Sequence, residues 1–569
     1  MDEIENGRWD FAIVGGGSAG CVLASRLSEN PKHRVLLVEA GRDVPPGQEG
    51  SAIRDMYPGR AAFDPANHWS DVAAHFVPVG HNAPERPAPR HYEQAKLVGG
   101  GSSINGQVAN RGTPDDYDEW ASLGASGWNW DSVLPYFRKL ERDLDYSGPL
   151  HGADGPIPIH RIPHEKWPIY STAAARALET LGYSDIRDQN GIFSDGYFAQ
   201  TLSNDGTHRV SAAMAYLGAD VRRRANLAVL AEASVVGLIA DGRRICGIEV
   251  RRNGRKVRIE ATETILSAGA IHTPAILLRA GIGPGDAAMR MGIPVVADLP
   301  GIGRNLQEHP GISVSAYLKP AARLKATRRH IHVSLRYSSG HPDCPPSDMY
   351  MMVVAKSAWH PLGPRIGSLV SWLNKVHSRG AVSLRSPDPA VGPLAEFNFL
   401  ADPRDAARLI DSVRFMARVM AASPLSELVE HPSPSSYSGF ARALGKQSLR
   451  NLLLTAPAAF AIDALPPMRK FLFDNFVSGG RTLPEIVSDS DALEAYVRSK
   501  AFGQWHACGT CRMGPEADRD AVVDPASARV HGLSGLRVVD ASVMPTAPRA
   551  NLNIPVLMIA EKFAAAILA

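Results

Sequence analysis

The sequence predicts an α/β plus α+β protein: a doubly wound dinucleotide-binding domain on a parallel sheet, and a second domain on a mainly antiparallel sheet. Three observations carry this expectation. A strand, a GxGxxG turn and a helix start within residues 11–20 and lead to a second strand ending in Glu39. A further strand-to-helix unit, beginning at 262–267, completes the parallel sheet. Between about 315 and 490 the pattern changes to alternating strands followed by helices, for which the dinucleotide fold has no counterpart.

Each part of the first motif has a physical role. Residues 10–14, apolar and bounded by glycine, read as a short buried strand. Gly15 turns the chain sharply, Gly17 lets a pyrophosphate approach the backbone, and Gly20 lets the helix over 18–27 pack on the sheet. That helix aims its first amides, at Ser18 and Ala19, and its positive dipole end at the phosphates. A second strand over 34–38 ends at Glu39, placed to bind a ribose diol. A bound dinucleotide is expected.

A chain of 569 residues exceeds one compact core, so two domains are expected. With 44% hydrophobic residues, 21% charged residues and a formal net charge of +3, it is neither disordered nor a polyanion binder. The arginine groups at 222–224 and 251–258 read as solvated faces, and no nucleic-acid partner is expected. Five cysteines, Cys21, Cys246, Cys344, Cys508 and Cys511, are too sparse for a disulfide framework and fit a reducing, cytoplasmic setting. The acidic start MDEIENGRWD carries no signal or transit pattern. The longest apolar run, 452–462, is interrupted by Pro457 and falls well short of the ~20 residues of a membrane span, so no transmembrane segment is expected. It reads as a buried helix or a lid, with membrane-surface contact as the alternative.

After Glu39 the chain is loop-like through 43–89 and ends in HYEQAKLVGGGSSINGQVANRG at 91–112. There Gly99, Gly101, Ser102 and Asn105 suit a backbone lying against a flat ligand; a tight turn with a capping serine is the plain alternative. The aromatic and acidic stretch 113–150, with a helix over 131–142, reads as packing. A helix is expected over 209–217, and short strands over 226–250 turn at Asp241-Gly242. The strand 262–267 opens through Ala268 and Gly269 into a helix with Thr273 and Pro274 at its start. Strands at 331–337, 348–354 and 381–384 and a helix over 404–421 form the second domain, assigned to substrate. The chain returns with a strand at 538–542 and a final helix over 554–568. The expected division is 1–155, 200–315 and 490–569 for the dinucleotide domain, and 156–199 and 316–489 for the substrate domain.

Two C-terminal segments carry the candidate chemistry. In WHACGTCRMG, 505–514, His506 stands beside a CxxC. Zinc or redox chemistry is one reading of that pair, but zinc needs four ligands and no second pair is suitably spaced, so no metal is expected. In RANLNIPVLMIAEK, 549–562, Asn551 and Asn553 precede Pro555 at a helix start, where a missing amide is tolerated.

Taken with GGGSAG near the start, LVGGGSSIN at 97–105, SAGAIHTPAILLRAGIGP at 267–284, PGIGRNLQEHP at 300–310 and VDASVMPTAPRA at 539–550, these segments resemble the glucose-methanol-choline (GMC) oxidoreductases over essentially the whole chain. Bacterial oxidases of furanic alcohols are the nearest type. The resemblance implies the GMC fold, with a Rossmann-type domain binding FAD. It also implies oxidation of a primary alcohol to an aldehyde by hydride transfer to flavin N5. His506 becomes the base and Asn551 its partner, donating to the developing alkoxide; an imidazole of pKa near ~6.5 suits the role. The implied FAD contacts also include Ala40, Gly106, Val108, Val235, Ala268, Gly269, Trp505, Asp540, Ala541, Asn553 and Ile554. The last helix aims its N-terminus at the flavin N1–O2 edge.

Covalent members attach FAD through a histidine where Ile104 stands, so non-covalent FAD is expected. Trp505 is expected to line the alcohol pocket, and for Trp372 a pocket role and plain packing are both open. Ala280 and Leu552 depart from the family's usual serine and threonine, and Leu552 bears on pocket shape. Molecular oxygen is the expected acceptor, with a quinone or dye as the alternative. Flavin-containing lyases and photodecarboxylases form a different class within the family; the pair His506 and Asn551 favours alcohol dehydrogenation over photodecarboxylation, while a lyase can retain such polar residues and stays open.

Overall fold

The computed structural model describes residues 7–78, 88–324, 328–436, 438–478 and 480–569; the acidic start at 1–6 and part of the loop expected over 43–89 lie outside them. The apolar strand Trp9–Val14 occupies the middle of the first sheet. Val35–Val38 and then Leu227–Leu230 lie parallel on one side, and Arg255–Leu266 lies parallel on the other. The end of Arg255–Leu266 also pairs in parallel with Leu536–Val538, while its earlier part joins an antiparallel extension with Arg244–Arg252 and Ser234–Asp241. The hairpin between those two turns at Gly242, whose φ of +56° explains the glycine.

Helix Ser18–Leu27 packs against Asn553–Leu568, which is buried nearly all round, as its continuous apolar sequence requires. Its one buried acid, Glu561, accepts from Arg26 and Tyr216 and pairs with Lys139. Burial opposes its charge, but Arg26 and Lys139 outweigh that and hold its pKa low.

The second sheet runs in the order Val429–Ser435, Pro310–Leu318, Ile366–Leu373, Met349–Val354, Ile331–Tyr337, Gly196–Ala199 and Asp185–Arg187, and all but the last pair are antiparallel. Helices Pro403–Ala421 and Ile169–Thr180 pack on it and share its core. The expected domain division shifts at several joints, because the chain crosses between layers. Pro310–Leu318 already belongs to the antiparallel sheet, Ala73–His75 pairs with Leu394–Glu396, and Ser490–Lys500 packs on Pro403–Ala421.

Local expectations change at four places. The helix expected over 209–217 is Ala212–Tyr216, started by the Ser211 hydroxyl accepting from the Met214 amide. Thr273 and Pro274 lie inside helix Gly269–Arg279; the Ala270 carbonyl that Pro274 cannot serve accepts from the Thr510 hydroxyl instead. The strand expected at 538–542 is Leu536–Val538, and Asp540 then caps a short turn, Ala541–Val543. The apolar run 452–462 lies in helix Leu449–Ala464, which is not a buried helix: Leu453 and Phe460 are 63% and 73% exposed. Among the described residues no helix is long and apolar enough to cross a membrane.

Candidate active site

A cavity of about 1490 Å³ is lined from both sheets. Gly15, Gly17, Ser18, Ala19, Glu39 and Ala40 form one end of its wall. The second glycine loop adds Gly101, Ser102, Asn105, Gly106 and Val108, and the wall continues through Val235, Ala268, Gly269, Asp540, Ala541 and Asn553. Trp505, His506 and Asn551 share the same cavity.

Gly20, Gly99 and Ile554 do not line it but hold its wall. A Cβ on Gly20 would stand 1.9 Å from the Gly15 carbonyl oxygen, Gly99 donates its amide to the Gly16 carbonyl, and Ile554 is buried in the core.

The cradle fits a dinucleotide on its geometry. The two glycine loops meet backbone to backbone, since a Cβ on Gly100 would fall 2.7 Å from the Gly17 Cα. Beside Gly101 and Gly269 there is open space, so a ligand can lie close against the backbone of this wall. Glu39 accepts from the Gly16 and Gly41 amides, at 2.8 and 2.7 Å; burial raises its pKa and those amides oppose the rise. The Ser18 hydroxyl donates to Asn553 Oδ1 at 2.8 Å, tying the two helix starts together. Asp540 accepts from the Gly269 amide, the Thr273 hydroxyl and the Ser542 amide, joining the far wall to the C-terminal strand.

The catalytic end is made of side chains. Asn551 Nδ2 lies 3.0 Å from His506 Nε2, and His506 Nδ1 lies 2.9 Å from His309 Nδ1. An amide nitrogen only donates, so His506 Nε2 is the acceptor and its proton sits on Nδ1, donated to His309. Burial holds both imidazoles neutral: His309 falls to about 3, and His506, with His309 beside it, lies well below its ordinary value. Asn551 is fixed by donating its backbone amide to Asn110 Oδ1 at 2.8 Å, and its buried Oδ1 has no partner among the described residues.

Behind the histidines stands Glu308. It accepts from the Tyr92 hydroxyl and from the amides of His309, Gln504 and His506, the last at 2.8 Å to both oxygens. Burial pushes its pKa up to about 7 and these donors oppose the rise. Between the two clamped amides Trp505 takes φ +61°, a left-handed conformation that costs about 1–3 kcal/mol in a non-glycine residue. A carboxylate gripping the amides on either side holds that turn and aims His506 at the cavity.

Trp505 is on the cavity as expected, with its indole donating to Glu93. Trp372 is not. It shares a strand face with Ile366, Ser368 and Val370, which do line the cavity, but Tyr350 stacks on its ring at 4.5 Å and closes it into a small cluster with Ile186 and Phe198. Sequence reasoning passed over Tyr92, Glu308, His309 and Gln504; the EHP triplet at 308–310 was the available signal.

The CxxC thiols Cys508 and Cys511 are buried and unpaired, and burial raises the pKa of both. Among the described residues, Glu141, Asp143 and His151 stand close enough to share a cation. Arg111 pairs there with Glu141 and Arg161 with Asp143, so the charge is met by guanidinium groups and the group reads as a buried ion-pair network.

A dinucleotide cradle opening onto a buried histidine and amide pair defines the class: a dinucleotide-dependent oxidoreductase. The particular family follows from comparison with known proteins. The N-terminal GMC oxidoreductase model matches residues 9–311 and the C-terminal one matches 376–560, and the chain belongs to this family of FAD-dependent alcohol oxidoreductases. It is 44% identical to the 5-(hydroxymethyl)furfural oxidase of Methylovorus sp. (strain MP688), with 98% of each chain covered. It is 32% identical to the mitochondrial choline dehydrogenase of Homo sapiens, covering 98% of this chain and 89% of that one. The crystal structure of pyridoxine 4-oxidase from Mesorbium loti superimposes with a TM-score of 0.78 at 28% identity, with 98% of each chain covered.

Proposed function

We propose that the protein oxidises aryl or furanic primary alcohols to aldehydes, passing the electrons to molecular oxygen, with FAD held non-covalently. The observation that carries this reading is the His506–Asn551 pair, 3.0 Å apart on the cavity that the glycine cradle lines. FAD, when bound, supplies the hydride acceptor.

The protein's part is proton handling and positioning. His506 Nε2 takes the hydroxyl proton as the alcohol carbon gives up its hydride, and Asn551 Nδ2 turns its hydrogen bond from the imidazole to the alkoxide oxygen. His309 keeps the His506 proton on Nδ1, so the lone pair faces substrate. Glu308 fixes the backbone from which His506 projects. Trp505 and Leu552 shape the alcohol site.

Ile104, on the cavity wall, offers no nucleophile, which supports non-covalent binding. Five unpaired thiols support a cytoplasmic setting. The furfural oxidase relative supports oxygen and a furanic alcohol.

The test is anaerobic mixing of the holoenzyme with 5-(hydroxymethyl)furfural, benzyl alcohol, an aliphatic alcohol and choline, followed by air. Bleaching of the flavin band by the first two, then rapid recolouring with peroxide release, is expected. Bleaching without recolouring in air overturns the choice of oxygen and leaves a quinone- or dye-linked dehydrogenase. Absence of bleaching by every alcohol overturns the reaction itself.

A further inference from the structure

We infer that the apolar face over residues 440–471 docks on an anionic lipid bilayer and sets one wall of the active-site cavity against the membrane surface. This stands whichever alcohol or electron acceptor the enzyme uses.

Half of the exposed large apolar side chains among the described residues fall in this short stretch, including Leu449, Leu453, Phe460 and Phe471. A patch of this density on a water-soluble surface marks an interaction site. Helix Leu449–Ala464 is built inside out. Its buried stripe starts with polar side chains: Asn451 donates to the carbonyls of Ala443 and Lys446, and Thr455 donates to the Asn451 carbonyl. Its leucines and Phe460 point outward instead. The following helix, Pro466–Leu472, continues the surface with Met468 and Phe471. Proline at 457 shortens the reach of the pattern, so the helix lies along a surface rather than crossing it.

Charge selects the occupant. Lys446, Arg450 and Lys470 are exposed on the same stretch. Asp474 pairs with Lys470, and Asp463 is covered by Arg323 and Arg365 from neighbouring elements. The remaining rim is basic, which suits anionic headgroups and sets two copies of this face against each other. The same stretch also faces the cavity, through Leu444, Leu454, Thr455 and Ala458. Docking therefore brings the bilayer to the cavity's own wall and gives membrane-dissolved molecules a short path inward.

The test is flotation of the holoenzyme with vesicles of phosphatidylcholine alone and of phosphatidylcholine with phosphatidylglycerol. Binding to the anionic vesicles, weakened by salt and by a Lys446→Gln/Arg450→Gln variant, is expected. Leu453→Asp/Phe460→Asp changes two exposed side chains off the cavity wall and should weaken binding roughly 100-fold, with unchanged flavin content and unchanged turnover of a water-soluble alcohol. Three results overturn the inference: no binding to anionic vesicles, equal binding to neutral vesicles, or a wild-type dimer in sedimentation that the double variant dissociates, which would make a second copy the occupant.

Discussion

At the glycine-lined end of the cavity the contacts come from backbone, supplied by two loops close in sequence to the strands and helices that hold them. At the catalytic end they come from side chains drawn from four distant segments, and no local element fixes them. His506 and His309 are 197 positions apart, and Tyr92 and Glu308 are 216 apart. The difference teaches where each end is fragile. The cradle fails if backbone is pushed apart, whereas the catalytic end fails if one hydrogen bond loses its partner.

The largest expected effect tests the cradle. Gly20→Ala places a Cβ 1.9 Å from the Gly15 carbonyl oxygen, too close for any local adjustment, and the turn and helix must separate. We expect protein purified without flavin; flavin content near that of wild type would show that the two loops are not held as described. Next comes His506→Ala, which leaves the cradle intact. Loss of general-base assistance is worth roughly 10²–10⁴ in rate, about 3–5 kcal/mol of barrier. Full flavin content with a flavin-reduction rate reduced by that factor is expected, and an unchanged reduction rate would remove His506 from the chemistry.

The same contrast explains what could be read before the fold was known. Helix Ser18–Leu27 and the strands Trp9–Val14 and Val35–Val38 were legible because hydrophobic period, glycine spacing and a terminal acid are all local signals. His506 and Asn551 were legible only through their motifs. Glu308 and His309 were not, because what they do depends on a loop some two hundred residues away. Trp372 shows the limit from the other side: its strand face does carry cavity-lining residues, but Tyr350 on the next strand decides whether Trp372 itself meets the cavity. The apolar run in Leu449–Ala464 left a buried helix, a lid and a membrane surface all open, and only the first fails, because an apolar run does not say which side of a helix the protein covers.

A smaller effect sharpens the catalytic end. His309→Leu removes the acceptor for His506 Nδ1–H, so the proton can move to Nε2 and spoil the base. Roughly a 10- to 100-fold slower flavin reduction is expected, the size of one lost charge-assisted contact. His309→Gln, whose carbonyl can still accept, should restore most of it. Nitrogen-15 spectra of His506 should show the Nδ1–H form in wild type and a mixture in the leucine variant; the Nε2–H form in wild type would reverse the assigned roles.

Acidity tests the same pair. The folded pKa of His506 is depressed by burial and by His309, so its base form persists below the ordinary value near ~6.5. A fall in flavin reduction near pH 7 should therefore belong to Glu308 and be absent from a Glu308→Gln variant, whereas a half-maximal point near ~6.5 that persists in that variant would show that His506 is more solvated than its surroundings imply.

The smallest effect lies away from the cavity, in the ion-pair network around His151. Burial opposes its charge, but Asp143, Asp188 and Glu141 outweigh it and raise its pKa to about 10. A raised folded pKa gives stability that is complete below the unfolded value near ~6.5 and is lost as pH climbs through about 10. His151→Gln keeps the volume and loses the charge, so wild type should exceed it by about 1–3 kcal/mol near neutral pH. Urea unfolding should show that gap shrinking steadily from about pH 6.5 and gone by about pH 10, and a gap that stays constant would mean His151 is neutral in the folded protein.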